Sequence, residues 1–356
     1  MKIFTPWRFG LLALTASLVA CNASTSTNQA GSSPTAQSPA ATETLKVVAT
    51  GSVLCDLAET IAAETIDLTC LVQAGVDPHV YEPTPADRRA IEDAEVILYF
   101  GYDFEPSLIR LIEASSSAIP KVAVGEEAVP NPLMGEHSHA HGEEKDEEHG
   151  HDHAEGEAHD HAEDEAHAEG ETPDPHVWHS AENGIRMVEV IENTLSEAAP
   201  ANAELYARNA EALTTELTQI NDWIKAQVAT IPANSRKLVT THDALGYFAE
   251  AYGIPVEGAL QGLSTDEQPT AARVRELTEE IQASQVPTIF AEATENTQLL
   301  ETVAKEANVK ISDRELFADG LGEAGSAGDT YPKMLIANTQ AIVEGLGGQF
   351  TPFQPQ

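Results

Sequence analysis

The chain has 356 residues, with 58 acidic against 19 basic side chains and a formal net charge of −39. A surface of that sign argues against nucleic-acid binding, which needs a basic face, and it attracts cations. The length is enough for two domains with a sizeable core.

Residues 1–10 carry Lys2 and Arg8 and no acid, and 11–20 form an apolar run. That run is shorter than the ~20 apolar residues of a spanning helix, so it reads as a secretory signal. Leu18-Val19-Ala20-Cys21 has the form of a lipobox, with Cys21 as the lipidated residue and 1–21 as the lipoprotein signal. The alternative is an ordinary signal peptide that contains a cysteine. Residues 22–44 are Ala, Ser, Thr, Pro, Gln, Asn and Gly with one charge, Glu43; such a segment buries too little apolar surface to offset its ordering entropy and is expected to be a flexible tether. The chain is thus expected outside the cytoplasm, anchored to the membrane through Cys21. Two further cysteines, Cys55 and Cys70, can pair in an oxidising compartment, or stand as two small buried hydrophobes.

Residues 44–50 (TLKVVAT) predict a strand, 52–65 a helix with Val53, Leu57, Ala58 and Ile61 on one face, and 68–73 a second strand. After a turn at Gly75-Val76-Asp77-Pro78, residues 85–93 predict a helix capped by Thr84, and 96–100 and 121–124 predict strands. Residues 136–171 break this pattern, with nine histidines, fifteen acids and one lysine; they are expected to be a disordered, low-complexity insert. Two long helical patterns follow at 181–197 and 202–228, the second with Leu205, Leu213, Leu217, Ile220 and Ile224 in register. A second strand–helix series then runs through strands at 238–241, 256, 288–291 and 309–311 and helices at 244–251, 270–283, 297–307 and 331–345. Strands alternating with helices predict parallel sheets. The expected organisation is an N-terminal α/β lobe over 45–180, a helical region over 181–232 that includes a linking helix, and a C-terminal α/β lobe over 233–356. Ligands of such sheets bind beyond the carboxyl ends of the strands.

Outside the insert only His79, His176, His179 and His242 remain. His79 and His176 each follow Asp-Pro, and His242 follows the strand Leu238-Val239-Thr240-Thr241. Loops at strand ends on a rigid scaffold collect binding residues, and neutral imidazole is the commonest metal ligand and suits zinc. A lone loop histidine is more often simply exposed; the repeated Asp-Pro-His strengthens the metal reading but does not place the three together.

The segments GVDPHVYEPTPAD, DPHVWHSAENG and THDALGYFAEAYGI resemble the signatures of the metal-binding solute-binding proteins of ABC transporters, closest to the high-affinity zinc-uptake branch. The resemblance runs from Lys46 to Gly345. It implies two α/β lobes joined by a long rigid backbone helix, with the metal in the cleft. It also implies His79, His176 and His242 as ligands, position 242 being histidine in zinc-type members and often glutamate in manganese-type ones. The fourth position falls in ELFADGLGEAGSAGDTYPKML, where Asp319 is expected; Asp313, Glu315 and Glu323 lie nearby, and Asp319 as a bystander or a ligand through water stays open. Asp77, Asp174 and Asp243 are candidate partners for the ligand imidazoles, although Asp before Pro also shapes turns. His179 stands where the family has an apolar residue after the Trp; it is expected to be exposed or to support the ligands.

The resemblance implies Zn2+ as transported ligand, an ABC permease and its ATPase as partners, and a monomer. His137, His139, His141, His149, His151, His153, His159, His161 and His167 of the insert are expected to act as an auxiliary, weaker metal collector, a solvated acidic spacer being the alternative. A metal-dependent hydrolase is the enzymatic rival. A catalytic zinc keeps one position open for water, whereas here four protein ligands are available and no H-E-x-x-H helix occurs. A metal buffer or adhesin without a transporter would share the same site.

Overall fold

The structure, a computed structural model, describes residues 44–135, 172–266 and 268–355. The expected signal with Cys21, the tether up to Glu43 and the histidine-rich insert lie outside the described residues.

β1 (Leu45–Ala49) leads into α1 (Ser52–Ala62) and β2 (Ile66–Cys70). α1 buries Val53, Leu54, Leu57, Ala58 and Ile61, the face its sequence spacing predicts. It ends three residues short of the prediction: Ala63 takes φ 51°, and a 3-10 turn over Ala63–Thr65 redirects the chain into β2. Cys55 and Cys70 are disulfide-bonded with Cα atoms 5.9 Å apart, tying α1 to β2. α2 (Pro85–Asp93) starts on a full capping box: the Thr84 hydroxyl accepts the Asp87 N–H and the Asp87 carboxylate accepts the Thr84 N–H. β3 (Val96–Tyr99), α3 (Pro106–Ala114), β4 (Lys121–Ala123) and α4 (Val124–Ala128) complete a parallel sheet of order β2-β1-β3-β4. α3 was not anticipated; it buries only Leu108 and Ile112, too few positions to declare a helical period.

β5 (Met134–Gly135) and β6 (Thr172–Pro173) form a short antiparallel pair that brings residues 135 and 172 into register. α5 (Ala181–Ala198) and the 26-residue α6 (Ala203–Val228) follow. The second series is β7 (Leu238–Thr240), α7 (Gly246–Tyr252), β8 (Val256–Ala259), α8 (Ala271–Ser284), β9 (Thr288–Ile289), α9 (Gln298–Ala307), β10 (Lys310–Ile311) and α10 (Tyr331–Gly345). β7 pairs with β8 and β9 with β10, all parallel, and the Phe290 N–H donates to the Val239 carbonyl at 2.9 Å to join the two pairs.

One hydrophobic core runs through both halves. It takes Val53, Leu57 and Ile61 from α1, Leu217, Ile220 and Ile224 from α6, Phe248 from α7 and Leu335 and Ile342 from α10. α6 therefore packs against helices of both halves and against α5, as a backbone helix must. Smaller clusters cover the far faces of the sheets, with Val48, Ile91, Ile97 and Leu108 on the first and Val239, Leu277, Ile289 and Leu300 on the second. No helix among the described residues is long and apolar enough to cross a membrane.

Candidate metal centre

The two Asp-Pro-His segments fold alike. The Asp77 Oδ1 accepts the His79 N–H at 2.9 Å, and the Asp174 Oδ1 accepts the His176 N–H at 2.9 Å. Each aspartate thus closes an Asx turn that presents the histidine. His79 lies in the loop after β2, and His176 heads the 3-10 turn Val177–His179. His242 sits just past β7, and Asp319 lies in the loop between β10 and α10.

These four residues, all buried, meet between the halves, and their ligand atoms lie within 4.8 Å of one another. The Nε2 atoms of His79 and His176 are 3.3 Å apart and those of His176 and His242 3.4 Å. The Asp319 Oδ1 is 3.5 Å from the His79 Nε2, 3.4 Å from the His176 Nε2 and 3.1 Å from the His242 Nε2. A tetrahedron with metal–ligand bonds of ~2.0–2.1 Å has edges of about 3.3 Å, so the spacing suits a small cation at the centre. The Asp319 Oδ1 is buried and accepts no aligned hydrogen bond, which is the state of an oxygen kept for an ion. Phe104 stands edge-on to His79 at 4.9 Å and to His176 at 5.6 Å, and Trp178 lies 5.5 Å from His176. These apolar walls exclude water and strengthen the electrostatics inside.

The charges balance accordingly. Burial works to raise the Asp319 carboxyl, but the imidazoles of His242, His176 and His79 hold it well below the usual carboxylate range. Burial works to lower His176 and His242. For His176 the bond to Asp174 and the nearby Asp319 carboxylate outweigh it and the net shift is upward; for His242 the Asp319 and Glu292 carboxylates raise it well above the ordinary value.

Two of the three histidine rings have a carboxylate behind them. The His176 Nδ1 donates to the Asp174 Oδ1 at 2.9 Å, so Asp174 contacts the His176 ring. Asp77 does something else: its Oδ2 accepts the Thr265 hydroxyl at 2.6 Å, bonding the His79 loop to the other half. Asp243 is not the partner of His242; Glu292 is. The His242 Nδ1 donates to the Glu292 Oε2, while the Glu292 Oε1 accepts the backbone N–H groups of Thr241 and His242 at 3.1 Å each. The Asp243 N–H instead donates to the Gly262 carbonyl, and its carboxyl is pushed up by burial and then by the Asp174 charge. Glu292 was missed, although an acid directly after the apolar run Thr288-Ile289-Phe290-Ala291 at a strand end was a usable signal. Glu295 lies close by; burial and then the charge of Asp77 push it up to about 7.

His179 is not exposed. It is fully buried, and its Nε2 donates to the Ala318 carbonyl at 2.9 Å; burial and then the His176 charge push it down to about 3, so it is neutral. Among the acids near Asp319, Asp313, Glu315 and Glu323 are exposed.

The family model of the periplasmic component A of the zinc-uptake complex matches residues 47–345. The chain is 32% identical over 305 residues to the manganese-binding lipoprotein MntA of Halalkalibacterium halodurans, covering 85% of this chain and 89% of the relative. It is 30% identical over 306 residues to the manganese ABC transporter substrate-binding lipoprotein PsaA of Streptococcus pneumoniae, with the same coverage. The solved structure of the periplasmic zinc binding protein TroA from Treponema pallidum superposes with a TM-score of 0.71 at 28% identity, covering 84% of this chain and 98% of that one. With a family match across most of its length and a buried cluster of three imidazoles and one carboxylate at the meeting of its halves, the chain belongs to the zinc-uptake component A family, the extracytoplasmic, non-enzymatic metal-binding proteins of ABC transporters.

Proposed function

We propose that the protein captures Zn2+ between its lobes through His79, His176, His242 and Asp319, and delivers it to an ABC permease driven by its ATPase, working as a monomer anchored at Cys21. The observation that carries the choice of zinc is the donor set, three imidazole nitrogens and one carboxylate oxygen with five donor–donor distances between 3.1 and 3.5 Å. Zinc suits N-rich four-coordinate sites, whereas manganese favours carboxylate, carbonyl and water. The core shared by both halves favours release by movement of the ligand loops over a wide hinge opening. The second reading, Mn2+ as cargo, is favoured by the relatives named for manganese.

Competition of Zn2+ and Mn2+ against chelators of known affinity tests the choice. Zinc is expected to bind at least tenfold more tightly, in line with the order of divalent affinities; equal or tighter manganese binding would overturn it. His242→Ala in a chain lacking 136–171 should lose zinc affinity by orders of magnitude, and tight binding that persisted there would refute the ligand assignment. The insert's nine histidines serve, on this reading, as an auxiliary collector that raises zinc concentration near the cleft. Deleting 136–171 alone should lower the zinc stoichiometry and slow capture while the high-affinity site survives; unchanged stoichiometry and rate would eliminate the collector role.

A further inference from the structure

Asp319 brings an unusual problem of positioning. Among the described residues its Oδ1 accepts no well-aligned hydrogen bond, facing instead the three imidazole nitrogens at 3.1 to 3.5 Å, and its Oδ2 takes a long one, from the Thr294 hydroxyl at 3.4 Å. The carboxylate is therefore held from its backbone. On one side the Leu321 N–H donates to the Ser52 hydroxyl at 2.9 Å. On the other, the carbonyl of Ala318 receives two side-chain donors, the Trp178 Nε1 at 3.1 Å and the His179 Nε2 at 2.9 Å. Both come from the 3-10 turn Val177–His179, which begins directly after His176.

His179 is the informative member of that pair. Trp178 fills the core against Phe100 and Phe104 and would be retained for packing alone. His179 is fully buried with its Nδ1 unpartnered. A buried nitrogen without a partner destabilises the fold, and an apolar side chain would fill the same space without that cost. A carbonyl only accepts, so the Nε2 carries the proton, and among the described residues the one polar interaction this ring makes is with the residue before Asp319.

We infer that His179 is a positioning residue of the metal site, acting through the Ala318 carbonyl to fix Asp319 as the fourth donor. The inference rests on the four-ligand reading proposed above. The turn that presents His176 from one half thereby also sets the acid supplied by the other, so the two donors keep one spacing. A fixed carboxylate favours a compact four-coordinate ion and disfavours a larger one that needs more oxygen ligands.

The test uses the full chain and four variants: His179→Leu, His179→Gln, Asp319→Ala and the His179→Leu/Asp319→Ala double. Zn2+ affinity is read by chelator competition, and coordination by the visible absorption of the Co2+-loaded protein. His179→Leu should weaken zinc roughly tenfold, the low end for a residue behind a ligand, and reduce the intense tetrahedral Co2+ bands. His179→Gln, which restores an N–H donor, should recover most of both. In the Asp319→Ala background His179→Leu should cost nothing further, because its route is already gone. An equal loss in both backgrounds, or wild-type binding by His179→Leu while Asp319→Ala is weakened, would overturn the inference and leave the four-ligand reading standing. Wild-type zinc binding by Asp319→Ala would instead overturn that reading, and the inference with it. If His179→Leu fails to fold, His179→Met against His179→Gln carries the same comparison.

Discussion

Replacing Glu292 by Gln isolates the support behind His242. The glutamine Oε1 can keep both backbone bonds, from the N–H groups of Thr241 and His242 at 3.1 Å. What changes is the contact with the His242 Nδ1, where a carboxylate oxygen gives way to an NH2 group. Two donors then face each other unless the imidazole moves its proton to Nε2, and a protonated Nε2 cannot ligate. The same tautomer logic governs a catalytic histidine whose aspartate becomes asparagine. Loss of a hydrogen bond to a charged group costs about 1.5–3 kcal/mol, and residues behind ligands typically contribute 10–100-fold in metal affinity. Zinc affinity of Glu292→Gln should therefore fall 10–100-fold, about 1.4–2.8 kcal/mol, and the metal-free protein, in which Glu292 also holds His242 upward, should melt at a lower temperature because a buried partner is lost. Chelator competition and thermal melting of the metal-free protein measure the two quantities. Zinc binding within two- to threefold of wild type would refute the argument, and so would an unchanged melting temperature of the metal-free protein.

Other consequences follow from the same structure. His176 and His242 are both held upward, by the Asp174 and Asp319 carboxylates and by Asp319 and Glu292, against the opposing effect of burial. Protons therefore compete for these nitrogens from above the usual histidine range downward, zinc affinity should fall steadily as pH is lowered, and calorimetry in buffers of different ionisation enthalpy should report net proton release on binding. Glu105 is fully buried, accepting from the Thr50 hydroxyl at 2.5 Å and the Phe100 N–H at 2.9 Å, and burial pushes its carboxyl to about 7 from an ordinary 4.5. Its folded form holds a proton that the unfolded chain gives up, so this contribution is complete below pH 4.5 and is lost as pH rises through about 7, on the order of 3 kcal/mol in all; in denaturant titrations from pH 5 to 8 Glu105→Gln should flatten that slope. Removing the Cys55–Cys70 bond, which spans 15 residues, should cost about 3 kcal/mol of stability, read as a lower denaturation midpoint of the double Cys→Ala variant.

Local chemistry made part of this molecule readable in advance. The periodicity of α1 and α6, the capping box at Thr84 and the turn signal Asp-Pro each depend on residues within a few positions of one another, so the sequence alone determined the alternating α/β order and the loops that carry His79, His176 and His242. The boundaries of the short elements were less legible: α3 buries too few residues to show a period, and β9 and β10 are two residues long. Contacts between distant segments left almost no local trace. That Glu292 and not the adjacent Asp243 holds His242, that Asp77 bonds Thr265 across 188 positions, and that His179 turns inward onto Ala318 follow from how the halves pack. Three isolated histidines and one acid among several became a single four-donor cluster only in the tertiary structure, because a metal site is a set of distances between loops, and residue spacing along the chain does not encode those distances.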